Sequence, residues 1–350
     1  MIRTKGTHSL ALAGFAPAGK LDHPYRCLLP VLALCLATAA WSQTARPVRG
    51  GRVAPYSSGG VQRPKPAPVT EASAQYQFIT IEIPGAGTCG YNACNQAFGI
   101  NNARLVTGYY TDTSGISHGF AWQNGVAHSL DYPGAADTYL YLDSNRGVVI
   151  GYYENAAGAD TTITYSFPSG AWAVLPDVTG YPNNIGSGIN DSGFAVGNAY
   201  SADFSASAAW IWDPSTQSYS FFVVPGSAGN STDAYAINDK GLVVGQFTDG
   251  SGVTHGFLKD GGTYTTIDPP DSTYAYADAI NSSGTIVGPW TNLDGWSEGF
   301  IRSSDGTITV LDVPGALETQ IYGINDRGDI CGVAVNAVTG QWTPFVAFRK

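Results

Sequence analysis

Residues 237–245 read INDKGLVVG. The same nine-residue pattern returns without gaps as INNARLVTG at 100–108, DSNRGVVIG at 143–151, INDSGFAVG at 189–197, INSSGTIVG at 280–288 and INDRGDICG at 324–332. The closing glycines, Gly108, Gly151, Gly197, Gly245, Gly288 and Gly332, are 43, 46, 48, 43 and 44 residues apart. A fixed period of this length marks a chain of stacked supersecondary units, so six units are expected. About a dozen residues after each glycine comes an aromatic: Phe120, Phe167, Trp210, Phe257, Phe300 and Phe345. Ten to thirteen residues further on lies an acidic residue followed by a proline turn, as in DYPGA at 131, DPPDS at 268 and DVPGA at 312.

Each unit therefore holds four strand signals separated by turn chemistry. The first ends in Ile-Asn, the second is the LVVG-like run, the third carries the aromatic and the fourth enters the proline turn. Between the first two, Asn238-Asp239-Lys240-Gly241 suits a type I turn with glycine in the left-handed region, closing a bulged hairpin. Arg104 stands where units 2 to 6 have glycine. It is expected in a strained left-handed conformation or a rearranged loop, and Arg104→Gly is expected to stabilise the domain by about 1 kcal/mol.

The last unit stops at Phe345–Lys350, after its third strand, while residues 78–86 (FITIEIPGA) carry the fourth-strand pattern ahead of the first unit. Pairing these two ends removes an open sheet edge. The reading is an all-β chain, a six-bladed β-propeller of four-stranded antiparallel blades closed by the N-terminal strand, with an open β-solenoid as the alternative. Composition agrees: 44 Gly, 20 Pro and one Met in 350 residues exclude a helical bundle, and an apolar fraction of 43% argues against low-complexity disorder.

The segment 27–40 (CLLPVLALCLATAA) follows four cations and precedes small residues, so residues 1–42 read as a cleaved signal peptide. Residues 43–77, basic and rich in Pro and Gly, read as a disordered linker, and 78–350 as the propeller. The expected location is secreted or periplasmic. After residue 77, eight Lys and Arg face 25 Asp and Glu, so a nucleic-acid backbone is repelled. Neither nucleic acid nor membrane insertion is expected. Cys89 and Cys94 are expected to form a disulfide in an oxidising compartment, and Cys331 to be a buried free thiol.

The Ile-Asn starts, the Val-Gly ends, His118-Gly119-Phe120, His255-Gly256-Phe257 and the DxPGA turns together resemble the bacterial "probable extracellular repeat" (HAF-repeat) family. The resemblance spans 78–350 and implies export and a repeat β fold. It brings no catalytic residues. Unit 2, with Asp143-Ser144 and no His-Gly-Phe, and unit 3, with Ala208-Ala209-Trp210, depart from the pattern.

GISHG at 115–119 and GWSEG at 295–299 match a nucleophile pattern, GxSxG, but fall at a hairpin rather than between a strand and a helix, so Ser117 and Ser297 are not read as nucleophiles. His118 and His255 share a third-strand position filled elsewhere by Tyr165, Ala208, Glu298 and Thr343, and are read as packing or hydrogen-bonding residues. Glu82, Asp131, Asp177, Asp268 and Asp312 are read as caps of the Pro-Gly turns, and Asn101, Asn190, Asn238, Asn281 and Asn325 as caps of the Ile-Asn turns. No catalytic residue, metal site or cofactor is assigned. If there is a ligand site, it is expected at the axial funnel: Gln96, Tyr139, Asp233, Tyr276 and Gln320 lie just ahead of the first strands, with Tyr91 and Tyr274 in the connecting loops; packing of the tyrosines between blades is the alternative. Tyrosines and amides suit a polar polymer such as a surface polysaccharide. The function expected is a non-enzymatic binding module. A glycan hydrolase or lyase, and a structural repeat without ligand, are the alternatives; oligomeric state stays open.

Overall fold

The computed structural model describes residues 70–88, 94–202 and 207–350. The leader and all but the end of the linker expected before the domain lie outside these residues, as do Cys89 and Tyr91. The first unit is formed by Asn95–Ile100, Val106–Thr111, Ser117–Gln123 and Val126–Ser129, and the second by Asp137–Asp143, Val148–Glu154, Asp160–Ser166 and Ala171–Val174. Asn183–Ile189, Ala195–Tyr200, Ser207–Asp213 and Ser218–Phe222 form the third. In the fourth, Ser227–Ile237, Val243–Asp249, Thr254–Asp260 and Thr263–Ile267 pair in the same antiparallel order. The fifth begins with a broken strand, Tyr274–Ala275 and Ala279–Ile280, followed by Ile286–Thr291, Ser297–Arg302 and Ile308–Val310. A single parallel bridge, Thr254 to Tyr274, joins units 4 and 5 into one nine-stranded sheet; the other four sheets have four strands each. The chain is all-β, built of propeller-like four-stranded antiparallel units. Among the described residues, no helix is long and apolar enough to cross a membrane.

Ala316–Ile324, Ile330–Asn336 and Trp342–Arg349 supply three strands of the last sheet, and the fourth is Tyr76–Thr80. Ile79 lies opposite Val346 and Thr80 opposite Phe345, and Ile81 N–H donates to the Pro344 carbonyl. Ordered structure starts earlier than residue 78: a helical turn, Glu71–Ala74, precedes the strand, closed by a capping box between Thr70 and Ser73.

The repeated glycine has a steric cause. A Cβ on Gly108, Gly151, Gly197, Gly245, Gly288 or Gly332 would collide with the carbonyl oxygen of Gln96, Tyr139, Ile185, Asp233, Tyr276 or Gln320 on the first strand. Only glycine allows this approach. Across the sheet, five of these glycines oppose the predicted aromatic: Phe120, Trp210, Phe257, Phe300 and Phe345, all buried. Unit 2 corrects the sequence reading. Gly151 opposes Ile163, not Phe167, which lies past the third strand with its ring edge-on to Tyr165 at 5.1 Å. Keeping the twelve-residue spacing sets the register, and an aliphatic residue fills the place. The same register puts Thr161, not Tyr165, at the position of His118 and His255.

The Ile-Asn turns form as expected. Asn238 Oδ1 accepts from the Lys240 and Leu242 amides, and the other four asparagines repeat this pair of bonds. Their second role was not foreseen. Each Nδ2 donates to a carbonyl of the next unit: Asn190 to Asn238 (3.0 Å), Asn238 to Asn281 (2.9 Å), Asn281 to Asn325 (3.1 Å), Asn325 to Asn101 (3.0 Å) and Asn101 to Ser144 (3.4 Å). Ser144, in the irregular unit, has no amide to continue the series.

Arg104 adopts φ 60°, in the left-handed region, as Gly147, Gly193, Gly241, Gly284 and Gly328 do at the same turn position. The side chain opposes the gain expected from glycine there. Its guanidinium pairs with Asp329, Nε to Oδ2 at 2.9 Å and Nη2 to Oδ1 at 3.3 Å, and lies 4.1 Å above the Phe348 ring. Asp329 is 1% exposed. Burial alone would raise its carboxyl pKa; Arg104, Asn325 and the Arg349 amide outweigh it and hold the pKa below the ordinary value. Cys331 is a buried free thiol, raised by burial and by Asp143, and Cys94 is disulfide-bonded.

Candidate functional site

The expected axial lining is mostly packed away. Gln96, Tyr276 and Gln320 are 0%, 3% and 1% exposed. Tyr322 donates to Gln320 Oε1, and Gln320 Nε2 donates to Ser297 Oγ. Tyr139 stacks on Tyr152 at 4.5 Å, and Asp233 accepts from Tyr200 and Gln246. Tyr274 sits edge-on to Tyr276 at 4.4 Å. Engaged by these neighbours and mostly buried, the side chains leave little for a ligand.

The outer end of the third strand is different. His255 Nδ1 lies 2.9 Å from Asp268 Oδ2, and Nε2 lies 3.5 Å from Asp249 Oδ2. Asp249 is itself held by the turn, where its Oδ1 accepts from the Ser251 and Val253 amides. The amide of Val253 is the chief cause that keeps its carboxyl pKa below the usual range. Phe247 lies under the imidazole at 5.1 Å between ring centroids. A cleft of about 240 Å³ opens here, lined by Val253, Thr254, His255, Asp268, Asp271 and Tyr274, among others. Its lining brings two carboxylates, an imidazole, hydroxyls and Tyr274 together.

One residue of this cleft breaks the repeat. The proline turn places a glycine in the left-handed region in five units: Gly85, Gly134, Gly180, Gly226 and Gly315. Unit 4 has Asp271 there, at φ 62°. A non-glycine at that φ carries a local cost, smallest for Asp and Asn, and such positions cluster at binding sites. Aligning the six turns would have exposed it; reading DPPDS only as a turn hid it.

Threonines cap three of the proline turns: the Tyr132, Val224 and Val313 amides donate to Thr138, Thr232 and Thr319 Oγ1. Asp131 and Asp268 instead face His118 and His255. In unit 5, Glu298 replaces the histidine and accepts from Asn292, while Asp312 accepts from the Gly299 amide at 3.3 Å. Burial, then the Glu298 charge, pushes the Asp312 pKa up to about 7. Glu318 is raised by burial and accepts from the Ser297 amide. Ser117 and Ser297 are buried at the start of a strand, with no helix behind them, which fits no nucleophile. Among the described residues, no group of three or more His, Cys, Asp or Glu side chains is arranged to hold a metal ion.

No family model matches the chain, and no curated protein matches it either. Among solved structures it is similar to the SapL1 lectin in complex with alpha methyl fucoside, at 13% identity and a TM-score of 0.46, covering 73% of this chain and 93% of that one. It is similar to TolB from Acinetobacter baumannii at 12% and 0.45, covering 72% of this chain and 63% of that one. It is also similar to the gluconolactonase XC5397 from Xanthomonas campestris at 12% and 0.49, covering 83% and 96%. Likenesses this distant, to three proteins of unlike function, transfer no ligand and no activity.

Proposed function

We propose that the chain is an exported six-bladed β-propeller of the extracellular-repeat type, closed by its first strand, and that it serves as a non-enzymatic binding module for a neutral sugar residue of a surface glycan. Closure is supported by the pairing of Tyr76–Thr80 with the last strand, by the Asn325 to Asn101 bond, and by Arg104 reaching Asp329. The observation that carries the binding role is Asp271, held in a glycine's conformation on the wall of an open cleft beside Asp268 and His255. Carboxylates and hydroxyls accept and exchange hydrogen bonds with sugar hydroxyls, and the tyrosine face suits a C–H surface. Two carboxylates against one imidazole, on a chain of net charge −10, disfavour acidic glycans.

A glycan array followed by titration calorimetry tests this. Binding to neutral glycans without release of reducing ends is expected, weakened at least tenfold by Asp271→Gly and by His255→Ala. Binding confined to acidic glycans, or unchanged in both variants, overturns it. Export is checked by the N-terminus of the mature protein, expected just after residue 39 or 42. A second reading, a glycan hydrolase, rests on the raised Asp312 beside the Glu298 charge. Reducing ends that appear with the native chain and vanish in Asp312→Asn would establish it.

A further inference from the structure

We infer that the sugar site is duplicated: a second site of the same polar chemistry lies at His118, three repeats away. This rests on the reading of the His255 cleft as a sugar site. The two places agree in detail around the imidazole and differ at the proline turn, where unit 1 has Gly134 in place of Asp271. His118 Nδ1 is 3.0 Å from Asp131 Oδ2 and Nε2 is 3.5 Å from Asp112 Oδ2, against 2.9 and 3.5 Å around His255. Asp112 Oδ1 accepts from the Ser114 and Ile116 amides as Asp249 Oδ1 does from Ser251 and Val253. An aromatic ring, Tyr110 or Phe247, lies 5.1 Å from each imidazole centroid. The Thr111–Ser117 hydroxyl pair repeats as Thr248–Thr254. In sequence, Asp, His and Asp stand six and thirteen residues apart in both units.

The fold does not require this arrangement. At the same third-strand position, units 2, 3 and 6 have Thr161, Ala208 and Thr343, and their opposing glycines and core residues pack as in the others. A constellation that recurs in detail in two units and is dispensable in three is retained for something other than packing. Both copies are reachable, with Asp131 and Asp268 side chains 44% and 36% exposed. The walls differ. Where unit 5 brings Tyr274 to the cleft, unit 2 brings Asp137, whose carboxylate accepts from the Ser117 amide, and Tyr132 stacks on Tyr153 at 4.3 Å. The Asp-His-Asp head is shared, while Asp271 and Tyr274 have no counterpart at His118, so the two sites bind one sugar class with unequal strength, the weaker at His118.

Imidazole resonances of the full chain, labelled at histidine, are followed while methyl glycosides of glucose, galactose, mannose and N-acetylglucosamine are added, with methylamine as a cationic control. The same glycoside is expected to shift both His118 and His255, at different concentrations. His118→Asn should remove only the first response and His255→Asn only the second. Asp131→Asn, which keeps a partner on the imidazole, should weaken the first alone by tenfold or more. A glycoside that moves His255 and leaves His118 still overturns the duplication while the proposed function stands. Movement of His118 by methylamine and by no glycoside overturns it in favour of a cation site. If no glycoside moves either histidine, the sugar reading falls and takes the duplication with it.

Discussion

Arg104 and Asp271 each stand, in the left-handed region, at a turn position that the other five units fill with glycine. Arg104, in the hairpin after the first strand of unit 1, adopts φ 60°, and Asp271, in the proline turn of unit 4, adopts φ 62°. The backbone cost is smaller for the aspartate, and the return differs as well. Arg104 spends its side chain inside the fold, on a buried carboxylate of the last unit and the ring of Phe348. Asp271 sets an exposed carboxylate on the wall of a cleft. The first exception ties unit 1 to the last unit; the second has no comparable contact, and this difference is what the proposed binding role of Asp271 rests on.

Breaking the partner of Arg104 should have the largest effect. Asp329→Ala leaves the guanidinium unpaired and removes the acceptor of Asn325 and Arg349, and is expected to cost about 3–5 kcal/mol in urea unfolding. A loss under about 1 kcal/mol would show that the contact is idle. Next comes a third rim turn, in unit 5, which keeps Gly315 and buries its carboxyl. The Asp312 pKa is higher folded than unfolded, so the folded chain binds the extra proton and stability falls as pH rises from about 4 to 7. With burial incomplete, that decline is about 2–4 kcal/mol, and Asp312→Asn should flatten it in melting curves across this range. A decline that survives the substitution assigns it elsewhere.

Arg104→Gly sharpens the comparison directly. It relieves about 1 kcal/mol of left-handed strain but strands Asp329, for a net loss of about 2 kcal/mol. Asp271→Gly should do the reverse, raising stability by up to about 1 kcal/mol while weakening sugar binding, measured by melting temperature and calorimetry on the same sample. If Asp271→Gly lowers the melting temperature, Asp271 belongs with Arg104 and the cleft loses its main support.

Much of the architecture was legible because its causes are local. The second-strand glycine, the Asn-capped turn and the third-strand aromatic each answer to neighbours a few residues away or one hairpin across, so they repeat visibly along the chain. Phe167 misled because an aromatic near the expected spacing outweighed the count to Ile163. The burial of the expected axial lining escaped the sequence for a different reason. Gln96, Tyr276 and Gln320 are polar and lie near the strand ends, and only their burial under residues distant in sequence reveals that they are sealed. The Asp-His-Asp spacing around His118 and His255 was readable, but the side chains were taken singly.

By itself, the sequence determined the unit, its four strands, its turns and the pairing of the earliest strand with the latest, since period, glycine and asparagine act through short-range sterics and hydrogen bonds. Tertiary structure decided which polar groups meet across units: Arg104 with Asp329, each asparagine amide with the following turn, and Asp271 with His255 and Tyr274 around one opening. Such meetings depend on how closely neighbouring sheets approach, a distance summed over many packed side chains and written in no single stretch of the chain.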